Sequence, residues 1–146
     1  MKYKLIIDEN VEESIVITAK EKHELVNKIE KIINMTEYNL IAYSEEEIIP
    51  IDIKCVYAFF TKDSKVYVSL KDKEYVIKER LYQIEGLLDD SFVKINQGCI
   101  VKISTILKFD SSLTGSLKVI LKNGFQDYIS RRELKNVKRR IGLWNV

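Results

Sequence analysis

The sequence predicts a mainly β protein of the α+β class, in which short helices are set among many short strands and a small ββα head comes first. Three observations predict it. Short apolar or alternating runs recur along the chain and outnumber helical patterns. Polar turn clusters separate those runs in pairs, among them Lys62-Asp-Ser-Lys65, Lys71-Asp-Lys73 and the hairpin signal Asn123-Gly124. No βαβ rhythm interrupts them, which argues against a parallel sheet.

In the head, residues 3–8 and 14–19 read as two strands around Glu9-Asn10 and Glu12-Glu13. Thr18 and Glu21 have the spacing of a capping box. Leu25, Val26, Ile29, Ile32 and Ile33 then follow the spacing of an amphipathic helix ending near Asn34. Two strands and one helix make a thin core, so the head is expected to pack on the body or on a second copy of itself. His23 is the only histidine and falls on the polar side of that helix, a surface position.

The body begins with strands at 40–43, 48–51, 56–61, 66–70 and 75–77. Pro50 is the only proline and suits an edge strand or a strand end. Residues 79–88 form a short helix with Leu81, Ile84, Leu87 and Leu88 inward, broken by Asp89-Asp90-Ser91. Strands at 92–95, 99–101, 106–110, 117–121 and 127–129 follow. The last element is a helix in which Ser130 can serve as N-cap and Glu133 completes a capping box. Leu134, Val137 and Ile141 fall on one side of it, and Arg132, Lys135 and Arg139 on the other. Arg131, Arg132, Lys135, Lys138, Arg139 and Arg140 face a single acid, Glu133, between positions 131 and 140. An Arg-Arg pair beside the positive end of a helix points to phosphate.

Charge is divided unevenly along the chain. Residues 1–47 hold 6 Lys/Arg against 11 Asp/Glu, and residues 48–146 hold 18 against 11, so a head of net −5 precedes a body of net +7. A basic body suits an acidic polymer. With 146 residues, 46% of them apolar and 32% charged, one soluble globular domain with a small extension is expected. Cys55 and Cys99 lie in separate apolar runs and are expected to be reduced core residues of a cytoplasmic protein. Three consecutive apolar residues near the N-terminus do not make a signal peptide, and no run approaches the ~18 residues of a membrane span. No phosphate-binding loop, His-Glu-x-x-His or Gly-x-Ser-x-Gly motif occurs. Glu45-Glu-Glu47 and Asp89-Asp90 read as solvated turns rather than metal ligands. The expectation is a protein that is not an enzyme, with no cofactor, metal or small-molecule substrate.

Three segments carry a resemblance to a known family. They are Phe92-Val-Lys-Ile-Asn-Gln-Gly-Cys-Ile-Val-Lys-Ile-Ser-Thr-Ile106, Leu113-Thr-Gly-Ser-Leu-Lys-Val-Ile-Leu-Lys-Asn-Gly124 and Ile129-Ser-Arg-Arg-Glu-Leu-Lys135. Together they resemble the LytTR family of bacterial DNA-binding domains, and the likeness reaches back to about Ile48. One position departs: Lys102 stands where that family usually has Asn. The resemblance implies an elongated stack of mostly antiparallel sheets whose edge loops enter successive major grooves. It divides the chain into a head at 1–45, a possible dimerisation or regulatory element, and a DNA-binding domain at 46–146. The head is too short for the phosphoacceptor domain that two-component relatives carry.

Carried over by position, the resemblance implies base contacts at Ser64, Lys65, Gln97 and Arg132. Arginine is the commonest bidentate reader of guanine, and Gln can pair with adenine. Lys62, Lys102, Arg131, Lys135 and Arg139 would neutralise phosphates, which position without specifying. The expected partners are double-stranded DNA and a second copy of the chain, a homodimer. By resemblance alone, a membrane protein encoded beside it is a third. A protein-interaction module of the same fold, using the acidic head, is the competing reading, favoured by Lys102 and the head's charge. RNA binding ranks third, because the sequence suggests no aromatic cluster at strand centres.

Overall fold

The computed structural model describes residues 2–37, 39–111 and 116–142. The Leu113-Thr-Gly part of the second resembling segment lies outside them. Fifteen elements follow one another. Helix α1 (Glu24–Glu37) precedes strands β1 (Asn39–Tyr43) and β2 (Ile48–Asp52), then a 3-10 turn at Ile53–Cys55. Strands β3 (Ala58–Lys62), β4 (Lys65–Ser69) and β5 (Glu74–Ile77) lead to helix α2 (Leu81–Leu87). Strands β6 (Phe92–Asn96) and β7 (Cys99–Lys102) come next, then a 3-10 turn at Ile103–Thr105. Strands β8 (Ile106–Asp110), β9 (Lys118–Leu121) and β10 (Gln126–Tyr128) end at helix α3 (Arg131–Ile141).

All the pairings are antiparallel. Seven strands form one sheet in the order β2-β1-β5-β4-β3-β7-β6, and β10-β9-β8 form a second. The alternation of side chains explains the layering. On β3, β6 and β7, Phe59, Phe92 and Ile100 point to one core while Ala58, Val93, Ile95, Cys99 and Val101 point to the other. The first core is closed by Leu81, Ile84 and Leu88 of α2 and its flank. The second is closed by Val119 and Leu121 of the small sheet and by Ile129 and Val137 of the α3 region. Strands buried on both faces read as continuous apolar runs, as Cys99-Ile-Val101 does. Pro50, which cannot donate to a ladder, sits on β2 at the edge of the large sheet. The Asn123-Gly124 hairpin closes as a three-residue loop with Gly124 at φ 89°, and Asn123 Oδ1 accepts from Phe125 N at 3.0 Å.

Several expectations fail for identifiable reasons. Residues 3–8 and 14–19 form no strand, and every residue from 2 to 25 is exposed. Their apolar runs mark chain competent to pair, but among the described residues no strand pairs with them. Thr18 does not cap α1, which starts at Glu24. Helix forms where it gains tertiary contact, and Val26, 8% exposed, is the first residue to find one as α1 packs on α2 and the first 3-10 turn. Lys28 Nζ adds an ion pair to Asp90 at 3.6 Å. Cys55 is exposed rather than core, because its segment bends into a 3-10 turn capped by Asp52 Oδ1 on Lys54 N at 2.9 Å. Cys99 is buried as expected. Strand centres do carry aromatics, since Phe60 stacks on Tyr67 with centroids 5.4 Å apart. Phe125 covers that pair at 5.0 Å from Phe60, which makes the trio half-buried packing rather than an open platform.

Ile95 is fully buried where the edge strand β6 meets the α3 layer. Ile95→Ala should cost about 3 kcal/mol of unfolding free energy, within the range for truncation of buried aliphatics. A urea titration followed by far-UV circular dichroism measures it. A loss below about 1 kcal/mol would mean that α3 is held mainly by other contacts.

Candidate nucleic-acid interface

Three chain-distant turns meet at one edge of the large sheet. Antiparallel pairing puts the end of β3 beside the start of β7 and the end of β6, so the 62–65, 96–98 and 128–132 segments share that edge. Direct bonds join them. Thr61 donates from its N at 2.8 Å and its Oγ1 at 3.3 Å to Gly98 O. Ser130 N donates to Ile95 O at 2.8 Å, and Asn96 Nδ2 donates to Tyr128 O at 2.8 Å.

Each turn is shaped by its residues. Lys62 pairs with Lys65, leaving Asp63 and Ser64 as a two-residue hairpin loop with φ of 52° and 62°. Both central positions of that tight turn need positive φ. Holding a serine there costs about 1–2 kcal/mol relative to its preferred regions. In the second turn Asn96 Oδ1 accepts from Gly98 N at 2.8 Å, an Asx turn that leaves Gln97 exposed at the tip. Gly98 has an ordinary φ, so space rather than backbone freedom demands glycine there. A Cβ would lie 2.4 Å from Thr61 Oγ1.

The third segment caps α3. Ser130 Oγ accepts from Glu133 N at 3.3 Å, which is half of the expected capping box. The reciprocal half is replaced, because Ser130 N is given to Ile95 O on β6. Gly142, at φ 77°, closes the helix C-terminus. Arg131, Arg132, Lys135 and Arg139 are all exposed and, at about 100° per residue, lie within one quadrant-wide stripe opposite buried Val137. Arg139 Nη2 donates to Asn136 Oδ1 at 2.7 Å. Arg140 points the other way, giving Nη2 to Asp90 O.

That end of the sheet gathers six of the nine sequence candidates, Lys62, Ser64, Lys65, Gln97, Arg131 and Arg132, while Lys135 and Arg139 follow along α3 as it runs back beside β6 toward Asp90. Lys102 is not among them. It ends β7 three residues away from that edge, and its ammonium is given to Lys54 O beside the Phe92 ring. Asn96 was not singled out from sequence although it ties two of the turns together; the signal for it is an Asn two residues before a Gly. Tyr128 is a second addition, 51% exposed at the same edge with Lys118 Nζ 5.7 Å from its ring centroid. Behind the turn, burial pushes the Cys99 thiol far above its usual range. The Asp127 carboxylate adds to this by its charge and a hydrogen bond, so the thiol stays neutral and inert.

What the edge offers is a row of donors and cations on a preorganised frame, with no metal-ligating cluster among the described residues. The chain is similar to known proteins over most of its length. Residues 46–142 match the family model described as the LytTr DNA-binding domain. Two Staphylococcus aureus proteins, each described as an uncharacterized HTH-type transcriptional regulator, are 30% identical over 146 residues. Those alignments cover 98% of this chain and 99% of each relative. A solved LytTr DNA-binding domain from Bacillus cereus superimposes with a TM-score of 0.66 at 22% identity, covering 72% of this chain and 97% of that one. That likeness is one of fold. The helix-turn-helix in the relatives' description has no counterpart among the described residues, where strands separate α1, α2 and α3.

Two substitutions separate frame from contact. Gly98→Ala forces Thr61 aside and should cost about 1–3 kcal/mol, as overpacking does. Ser64→Gly relieves the positive φ and should add about 1 kcal/mol. Thermal melts of both variants measure these effects, and opposite signs are expected. A neutral Gly98→Ala would show that the two turns do not depend on their close approach.

Proposed function

The chain belongs to the LytTR family of DNA-binding domains, and from that premise we propose that it is a transcriptional regulator that binds a duplex DNA site by sequence. The observation that carries the reading is the gathering of three turns at one bonded end of the sheet, where the exposed α3 stripe begins. Ser64, Lys65, Gln97 and Arg132 are the base readers, set at the tips where a groove floor can be reached. Lys62, Arg131, Lys135 and Arg139 anchor phosphates along the backbone. Lys102 is left out of the contact set, since its ammonium is turned to Lys54 O at the other end of β7. DNA as ligand implies a cytoplasmic protein, and among the described residues no helix is long and apolar enough to cross a membrane. The active species is a homodimer on two half-sites, and a membrane protein encoded nearby is the regulator that the family resemblance suggests.

Arg132 is the sharpest test. Its guanidinium fork suits O6 and N7 of guanine, worth ~1–3 kcal/mol of discrimination, or roughly 5–150-fold in affinity. Arg132→Ala should lose that factor on a site selected from a random DNA pool and keep its affinity for scrambled DNA. Its stability should stay within ~0.5 kcal/mol, as for surface substitutions. Arg132→Lys should recover little, because an ammonium cannot form the fork. Equal losses on both DNAs in a fluorescence titration would reassign Arg132 to phosphate.

Salt dependence tests the anchors. Binding should weaken steeply with salt, and Lys135→Ala or Arg139→Ala should each weaken all sequences alike and lower the logarithmic salt slope by ~0.9. A specific affinity unchanged between low and physiological salt would exclude DNA as the partner.

A further inference from the structure

Eight of the fifteen large apolar residues that the described chain exposes lie between positions 3 and 17. We infer that residues 2–20 are a dimerisation arm, which completes its strands only against the arm of a second copy. The inference deepens the homodimer of the proposed function by naming its interface, and its chemistry does not depend on DNA.

The arm has the makings of a hairpin without the pairing. Asn10 N donates to Asp8 Oδ1 at 2.9 Å, an Asx turn that lies between the two segments. Leu5-Ile-Ile7 on one side and Ile15-Val-Ile17 on the other favour extended chain. Three apolar residues in succession present apolar atoms to both faces of a strand, whatever the register. One face can lie on α1, where Leu25 is 42% exposed. The other needs a second partner. Exposure of 93% at Tyr3, 86% at Ile7 and 86% at Val16 is far from the state of a core. Side chains of this size, eight per copy, offer an apolar area of the order of the ~800 Å² per partner found in stable complexes, well above the patch a monomer tolerates.

The body does not supply that partner. The matched domain begins at residue 46, beyond the arm. The free edge at β2 carries Pro50, which lacks the N–H a docking strand would need. The arm's charges point to a second copy instead. Its turn holds Asp8, Glu9, Glu12 and Glu13, and its ends hold Lys2, Lys4 and Lys20. A two-fold axis that packs two arms antiparallel sets each acidic turn against the basic ends of the other arm. The chain thus carries its own complement, as an isologous interface requires.

The test uses the full chain without DNA. Sedimentation at tens of micromolar should give twice the 17.1 kDa monomer mass. One variant reverses the turn (Glu9→Lys, Glu12→Lys, Glu13→Lys), and a second reverses the ends (Lys2→Glu, Lys4→Glu, Lys20→Glu). All six positions are exposed, so the body should melt as in the parent. Each variant alone should self-associate at least tenfold more weakly, and an equimolar mixture should regain a dimer containing one copy of each. A monomeric parent overturns the inference. So do single variants that dimerise like the parent, or a mixture that stays monomeric. DNA binding measured separately on the parent distinguishes failure of the arm from failure of the DNA-binding reading.

Discussion

The bond from Ser130 N to Ile95 O, with its companion from Asn96 Nδ2 to Tyr128 O, is the contact on which the rest of the molecule depends. β6 is the outermost strand of the large sheet, and its outer backbone would otherwise be an open edge. These two bonds close it with the chain that leads from the small sheet into α3. They join the two layers and set the start of a cationic helix beside a turn. The helix pays for this with half of its capping box, because one N–H cannot serve both the Glu133 side chain and a neighbouring strand. Val137 and Ile129 then fill the space beneath, so the polar stitch and the second core hold the same junction.

Local pattern made most of this body legible. Every body strand expected from sequence occurs within about two residues of its expected bounds, and most have a buried face that fixes their period, β8 and β10 being the exceptions. The partition into two sheets was not legible. Strand order depends on which apolar faces meet, and β7, buried on both sides, looks the same to either neighbour. The head failed for the opposite reason. The apolar runs in 3–8 and 14–19 report competence to pair, whereas pairing needs an edge that the described chain does not present.

For the site, the family resemblance led to the candidates, and six of the nine lie at the joined turns. Lys102 was expected to anchor phosphate by its positive charge near the family's contact segment. The structure turns that ammonium to a backbone carbonyl instead. Asn96 escaped attention because its contribution is geometric: its amide holds two turns in place while the side chain beside it faces solvent. The head was expected to pack on the body or on a second copy, and its helix does the first. Its α1 reaches the body through Lys28 and Asp90, the residue whose carbonyl also receives Arg140 from α3.

The close approach of Gly98 to Thr61 has a consequence for how such an edge can change over generations. The bonds that hold the turns run through Thr61, Asn96, Gly98, Tyr128 and Ser130. Gln97 and Arg132 project from that frame and contribute nothing to it. Sockets and keys are therefore inherited separately. A lineage can exchange the side chains at 97 and 132 at almost no cost in folding, whereas lengthening a turn or adding one methyl at 98 breaks the holder itself.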